Sequence, residues 1–201
     1  EKLTKRYFRL MRKFGDGSQV EHVTTGKDGW LFLGSAKPGY DKYEDPFGDA
    51  MHVNLYTEDE LKQFANALVS IKNRLAEQGV AYLFVLAPNK HTIYFDHMPE
   101  HIVKQNAYSA TDQLFEYLTK HTDVAVLDLR PSLLKEKERR QVYYKYDTHW
   151  NHYGANIAQY EIMKVVQSLL PELSIKPFLL SDEQFTQTTF EQGDLGVMLN
   201  M

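Results

Sequence analysis

Apolar residues recur along this chain with two different periods, and the changes from one to the other delimit its elements. From Thr57 onward Leu61, Phe64, Leu68, Ile71 and Leu75 return every three or four positions, so they line one face of a helix. Thr57 with Glu60 makes a capping box, the acids at 58–60 suit the positive end of the helix dipole, and Gly79 supplies a left-handed stop. Residues 80–86 then run unbroken through apolar side chains, the pattern of a strand buried on both faces of a parallel sheet. Residues 124–129 repeat it. A helix over 104–121, with Ala107, Leu114, Phe115 and Leu118 for packing, lies between them. Strand, helix and strand in that order predict a right-handed crossover and an α/β three-layer domain with a mainly parallel sheet.

The flanks are less regular. Leu3, Tyr7, Leu10 and Phe14 stand at helical spacing among Lys2, Lys5, Arg6, Arg9, Arg12 and Lys13. They predict a short basic helix over 2–13 that either docks its apolar stripe on the domain or meets an anionic surface. Gly15, Asp16, Gly17 and Ser18 end it as a turn. Gly26, Lys27, Asp28 and Gly29 make a second turn leading into a strand over 30–33, together a hairpin. Residues 34–50, rich in Gly, Pro, Asp and Tyr, predict an irregular loop, either a surface excursion or the border of a substrate groove. A charged helical stretch runs from Pro131 to Arg140. Ala155, Ala158, Ile162, Val165, Val166 and Leu169 trace a last amphipathic helix over 151–170, ended by Pro171.

At 201 residues the chain has the size of one domain, 1–201, large enough to bury a core without staples. No apolar run is long enough to span a bilayer. A formal net charge of -4 argues against nucleic acid as a partner, which needs a broad phosphate-neutralising face. Cysteine is absent, so disulfides, thiolate chemistry and cysteine zinc sites are excluded together. The 13 Tyr and 11 Phe suit sugar-stacking surfaces as well as a core. Glu1 in place of an initiating Met points to a leader or anchor removed from a longer gene product.

Candidate chemistry concentrates in residues 143–155. Asp147 and His149 stand two apart just before the last helix, and in an extended segment such side chains point to the same side. Asp147 would hold one ring nitrogen of His149 while the other takes a proton from a hydroxyl, two thirds of a hydrolase or acyltransferase triad. The same residues could instead cap and solvate the helix start. Asp147, His149 and His152 also offer oxygen and nitrogen ligands close together, which keeps a metal-dependent hydrolase as a rival. No fourth ligand is recognisable, and neither metal nor cofactor is expected. His97 and His101 have the spacing of a helical zinc pair, but Pro99 between them interrupts such a helix and leaves them as surface residues. Open α/β sheets bind ligands at the carboxyl ends of their strands. There Asn89 could orient a carbonyl oxygen and Lys90 could meet a sugar carboxylate, or both could be surface turn formers.

Three separated blocks complete the picture: Gly26 to Phe32; Ala87, Pro88, Asn89 and Lys90 with Ile93 and Tyr94; and Asp147, Thr148, His149 and Trp150 before a helix with Gly154 and Ala155. In this order they resemble the alginate O-acetyltransferase family, and Gly193, Asp194 and Leu195 fit as well. The resemblance implies an SGNH-hydrolase-like fold and acetylation of hydroxyls on an exported polysaccharide. It makes Asp147 and His149 the acid and base of a Ser-His-Asp triad; Asn89, Lys90 and Trp150 are the residues expected at the substrate. It also implies a polysaccharide acceptor, an acetyl donor such as a membrane acetyl carrier protein, a membrane tether, and a place outside the cytoplasm, periplasmic or at the cell surface.

That family's nucleophile sits in a Gly-Asp-Ser or Gly-Asn-Ser block, and this sequence has none. Gly193, Asp194 and Leu195 resemble such a block with its serine missing, and are expected to form a turn preceding the true one. None of the eight serines stands in a strand-to-helix nucleophile turn. The final strand and the nucleophile are therefore expected beyond Met201, which would leave the 201 residues inactive alone. A non-catalytic carbohydrate-binding or assembly component on the same fold is the alternative. Transferase and esterase share one acyl-enzyme and are not separated by the triad.

Overall fold

The computed structural model describes residues 23–34, 44–181, 184–185 and 193–199. The basic stretch 2–13, the turn 15–18 and most of the loop expected over 34–50 lie outside the described residues. β1 (Val23–Thr25) pairs antiparallel with β2 (Leu31–Leu33), and the expected turn between them closes as a 3-10 turn over Lys27–Gly29. α1 (Pro46–Ala50) corrects the end of the expected loop. Its cause is local. The Asp45 carboxylate accepts from the N–H groups of Phe47 and Gly48 at 3.1 and 2.9 Å, and Pro46 brings its φ preset for a first turn.

α2 (Glu58–Ala76) begins at the Thr57 capping box, with both reciprocal bonds to Glu60 present. Its buried face is Leu61, Ala65 and Leu68. Phe64, expected inside, is 37 % exposed, because the small Ala65 faces the core and leaves Phe64 at the stripe's edge against Tyr56 and Phe84. Gly79, at φ +71°, turns the chain beyond the helix end, as its freedom from a Cβ allows.

β3 (Leu83–Leu86), α3 (Lys90–Ile93), α4 (Ala110–His121) and β4 (Ala125–Asp128) follow. The two strands pair in parallel, from Leu83 opposite Ala125 to Leu86 opposite Asp128. Alternation assigns their side chains to layers. Phe84, Leu86 and Val126 pack with Leu61, Leu68, Leu114 and Leu118 of α2 and α4. Val85 and Leu127 pack against a second cluster that includes Phe32, Phe47, Ile93, Leu133 and Ile157. Both faces are thus covered, yet the strands are half-buried rather than sealed, since among the described residues each has only one paired edge.

α4 starts later than its apolar pattern implies, at a second capping box formed by Ser109 and Asp112. α5 (Arg130–Lys137) and α6 (His152–Leu169) complete the second layer. α6 buries Tyr153, Gly154, Ile157 and Ala158. Of the stripe expected from sequence only Ala158 is fully buried, because the core grips the first turns of the helix. α7 (Asp194–Met198) comes last, and Leu195 and Leu199 dock on Val23 and Leu31 of the hairpin beside Tyr146. Among the described residues no helix is long and apolar enough to cross a membrane.

Candidate active site

The segment between α5 and α6 is a closed loop. Tyr143 bridges to Trp150, the Tyr144 N–H donates to the His149 carbonyl at 3.1 Å, and the Asn151 N–H donates to the Val142 carbonyl at 2.9 Å. Asn151 also caps α6 through the Gly154 N–H at 2.9 Å. Asp147 and His149 therefore ride on a bend, not on the extended run expected from their spacing. Asp147 Oδ1 accepts from the His149 main-chain N–H at 2.9 Å and lies 2.7 Å from its Nδ1. This is an Asx-type turn, in which a short carboxylate captures backbone two residues on and here captures the ring as well. A carboxylate can only accept, so Nδ1 carries the proton and Nε2 is left as the basic nitrogen. The His149 side chain is 73 % exposed and that of Asp147 only 14 %. Burial pushes the Asp147 pKa up, but the N–H groups of Asp194 and His149 and the imidazole outweigh it and hold the carboxyl below its ordinary range.

Asp194 reaches the same loop from 47 residues away, which no periodicity in the sequence reveals. Its N–H donates to Asp147 Oδ2 at 3.0 Å. Its carboxylate accepts from both donors of Thr148, the main-chain N–H at 2.8 Å and the hydroxyl. Gly193 permits the approach, since a Cβ there would lie 2.2 Å from the Tyr146 carbonyl oxygen. The match of Gly193, Asp194 and Leu195 to a known block was the available signal, but its expected use was as a turn before a nucleophile. Asp147, His149 and Asp194 each bring a ligand atom within 4.8 Å of the others. His152 faces Tyr144 edge-on at 6.4 Å and stands outside this group, so the three residues expected of a metallohydrolase do not assemble.

Lys90 is 3 % exposed, which corrects its expected contact with a sugar carboxylate. Its ammonium donates to the carbonyl oxygens of Lys145 at 3.0 Å and Asp147 at 2.9 Å, above the rings of Trp30 and Phe32. Burial lowers its pKa to about 7 against the opposing pull of Asp147 and Asp194. The Leu31 N–H donates to the same Lys145 carbonyl at 3.1 Å, the Tyr143 hydroxyl donates to the Pro88 carbonyl, and the Tyr94 hydroxyl accepts from the Val142 N–H at 3.0 Å. The three separated sequence blocks thus meet at one place, as floor, strut and loop.

Asn89 is exposed, with no side-chain capping bond. It lines two cavities of about 320 and 210 Å³ that share Asp49, Tyr56 and Ala110. They lie at the carboxyl ends of the strands, but neither lining includes His149. Trp150 is half-buried against the second cluster. His101 is exposed, whereas His97 is half-buried beside Trp30.

A family model described as the SGNH hydrolase-like domain of the acetyltransferase AlgX matches residues 23–201. The chain belongs to this family. Relatives of this SGNH-hydrolase-like chain include the probable alginate O-acetylase AlgJ of Pseudomonas aeruginosa, 30% identical over 138 residues that cover 66% of the chain and 30% of the relative. That of Pseudomonas syringae pv. tomato is 29% identical over 164 residues, covering 72% and 39%. The chain spans well under half the length of these curated relatives. Among solved structures, the O-acetyltransferase domain of Pseudomonas putida AlgJ aligns at a TM-score of 0.53 and 22% identity, over 87% of this chain and 56% of that one. Bacillus cereus PatB1 aligns at 0.52 and 22%, over 83% and 48%. The family model and these likenesses together give the SGNH-hydrolase-like fold that the resemblance in the sequence implies.

Proposed function

We propose that this chain supplies the acid–base half of an O-acetyltransferase acting on hydroxyls of an exported polysaccharide. One observation carries it: Asp147 holds His149 Nδ1 at 2.7 Å while the ring stands open to solvent, so a basic Nε2 faces whatever hydroxyl approaches. The relatives named as alginate O-acetylases support acetyl transfer and a polysaccharide acceptor. In the first half reaction a serine oxygen attacks the acetyl carbon of the donor, and Nε2 takes the serine proton and passes it to the leaving group. In the second a sugar hydroxyl attacks the acyl-enzyme, gives its proton to Nε2, and the proton returns to the serine oxygen. Asp147 fixes the tautomer and stabilises the imidazolium throughout.

The hydroxyl bonded to the ring is that of Thr148, at Nδ1 and 3.2 Å away, the nitrogen that Asp147 already occupies. Among the described residues no serine is bonded to the ring, and the nucleophile is proposed to lie in sequence outside these 201 residues, for which the greater length of the relatives leaves room. Asn89 and Trp150 remain the proposed substrate contacts. A single domain, a membrane acetyl carrier as donor, a membrane tether and a periplasmic or cell-surface location belong to the same proposal.

The test is acetyl transfer from a nitrophenyl ester to oligosaccharides by the full-length protein, its His149→Ala and Asp147→Asn variants, and the 201-residue chain. Both variants are expected to lose about a thousandfold or more in kcat, and the short chain to be inactive. Activity that survives His149→Ala would overturn the assignment. Robust turnover by the short chain, lost on His149→Ala, would place the nucleophile among its own hydroxyls. Sugar binding without turnover by the full-length protein would favour the carbohydrate-binding alternative, and acetyl release to water alone an esterase.

A further inference from the structure

We propose that Asp194 is a positioning residue for His149, acting through Thr148 and Asp147 and not on the reacting atoms; the inference rests on the assignment of Asp147 and His149 above. The His149 ring has two carboxylates within reach. Nδ1 lies 2.7 Å from Asp147 Oδ1 and 3.8 Å from Asp194 Oδ2, so a small rotation would transfer its proton bond from one acid to the other. What opposes the exchange is how each acid is anchored, since the donors on its oxygens fix where they point. Asp194 Oδ2 is taken by the Thr148 hydroxyl, and Asp194 Oδ1 by the N–H groups of Thr148 and Leu195 at 2.8 and 2.6 Å. Asp147 Oδ2, the oxygen that His149 does not use, is taken by the Asp194 N–H at 3.0 Å.

The result is a reciprocal clamp. Asp194 fixes the residue between the acid and the base and also orients the acid. Its own position is set by packing, since Leu195 is buried on Val23 and Leu31, and by the Gly196 N–H donating to the Tyr146 carbonyl at 3.1 Å. An acid in the first turn of a five-residue helix would by itself need no partner. Both oxygens of this one are instead spent on Thr148, across 46 residues of sequence.

Two readouts in the full-length protein test the clamp. Asp194→Ala is expected to lower kcat about 10- to 100-fold through a misplaced base, with KM within about twofold, and Asp194→Asn, which keeps one oxygen for the Thr148 N–H, to recover part of the loss. In protein carrying ¹⁵N-labelled histidine, NMR at high pH should show His149 in the Nδ1–H form, shifting toward the Nε2–H form of free imidazole in Asp194→Ala. The tautomer readout needs no turnover. A kcat and a tautomer both unchanged in Asp194→Ala would overturn the proposal, whereas activity retained in His149→Ala would overturn the functional assignment and leave the tautomer to decide on Asp194. Should Asp194→Ala not fold, Thr148→Val removes the hydroxyl and spares the main chain. The same tautomer shift is expected there, and its absence would equally overturn the clamp.

Discussion

The Lys90 ammonium and the Asp147 carbonyl oxygen are joined at 2.9 Å across 57 residues of sequence. A side chain four residues beyond β3, in the place where ligands bind in open sheets, is thus spent on holding the loop that carries Asp147 and His149.

Replacing Lys90 by Met keeps the volume and the packing on Trp30 and Phe32 but removes the donor to two carbonyls. The Lys145 carbonyl keeps the Leu31 N–H, so the Asp147 carbonyl alone loses its partner, at a cost of about 1–3 kcal/mol that is offset by the charge no longer buried. Stability at pH 7 should therefore change little while acetyl transfer falls at least about tenfold. Comparison of kcat and of the thermal midpoint in the two proteins checks this. Full activity in Lys90→Met would show that the strut is dispensable.

The same lysine predicts a pH dependence. Its pKa is about 7 in the folded chain, against an ordinary 10.5. Between those values the unfolded chain holds one proton more than the folded one, so stability rises with pH, by up to roughly 1.4 kcal/mol per unit. This contribution is complete above pH 10.5 and is lost as pH falls through 7. Wild type should therefore gain thermal stability relative to Lys90→Met from pH 7 to 9.5. Parallel curves would refute it.

Two glycines should respond differently to Ala. Gly79 has a positive φ and nothing within 4 Å of a would-be Cβ, so Gly79→Ala should cost about 1 kcal/mol through backbone strain alone and leave turnover intact. At Gly193 the added Cβ meets the Tyr146 carbonyl oxygen, and α7 must shift. Gly193→Ala should cost about 1–3 kcal/mol and reduce kcat as Asp194→Ala does. Equal turnover in the two variants would sink the distinction.

Asn89→Ala should lower kcat about a hundredfold, the loss typical of one donor aimed at a developing oxyanion, without a change in the unfolding midpoint. A rise in KM alone would instead assign Asn89 to holding the acceptor.

Local rules made much of this molecule legible in its sequence. The Thr57 capping box, the Gly79 stop and the parallel pairing of two apolar runs each depend on neighbours in the chain or on a short period. α1 was equally local, signalled by Asp45 before Pro46, but the Gly- and Pro-rich composition around it masks the signal. The contact between Asp147 and His149 was legible from their spacing, while its geometry was not: a side-chain-captured bend, and not strand alternation, brings Asp147 to His149. Lys90 and Asp194 escaped because a charged residue reads as unpartnered until the fold brings its partners near. Those partners lie 46 to 57 residues distant, and for Lys90 they are main-chain carbonyls, which leave no trace in residue identity.

The docking of α7 also makes the loop depend on a segment that is synthesised late. A chain emerging from its amino end carries the residues of the hairpin, both parallel strands and the loop with His149 before residues 193–199 exist. Until they arrive Asp147 lacks one of its donors and Thr148 has no acid to hold. A chain clipped short of Gly193 would therefore keep Asp147 and His149 but lose the Asp194 contacts that hold their loop, together with the Leu195 and Leu199 share of the cluster under the hairpin.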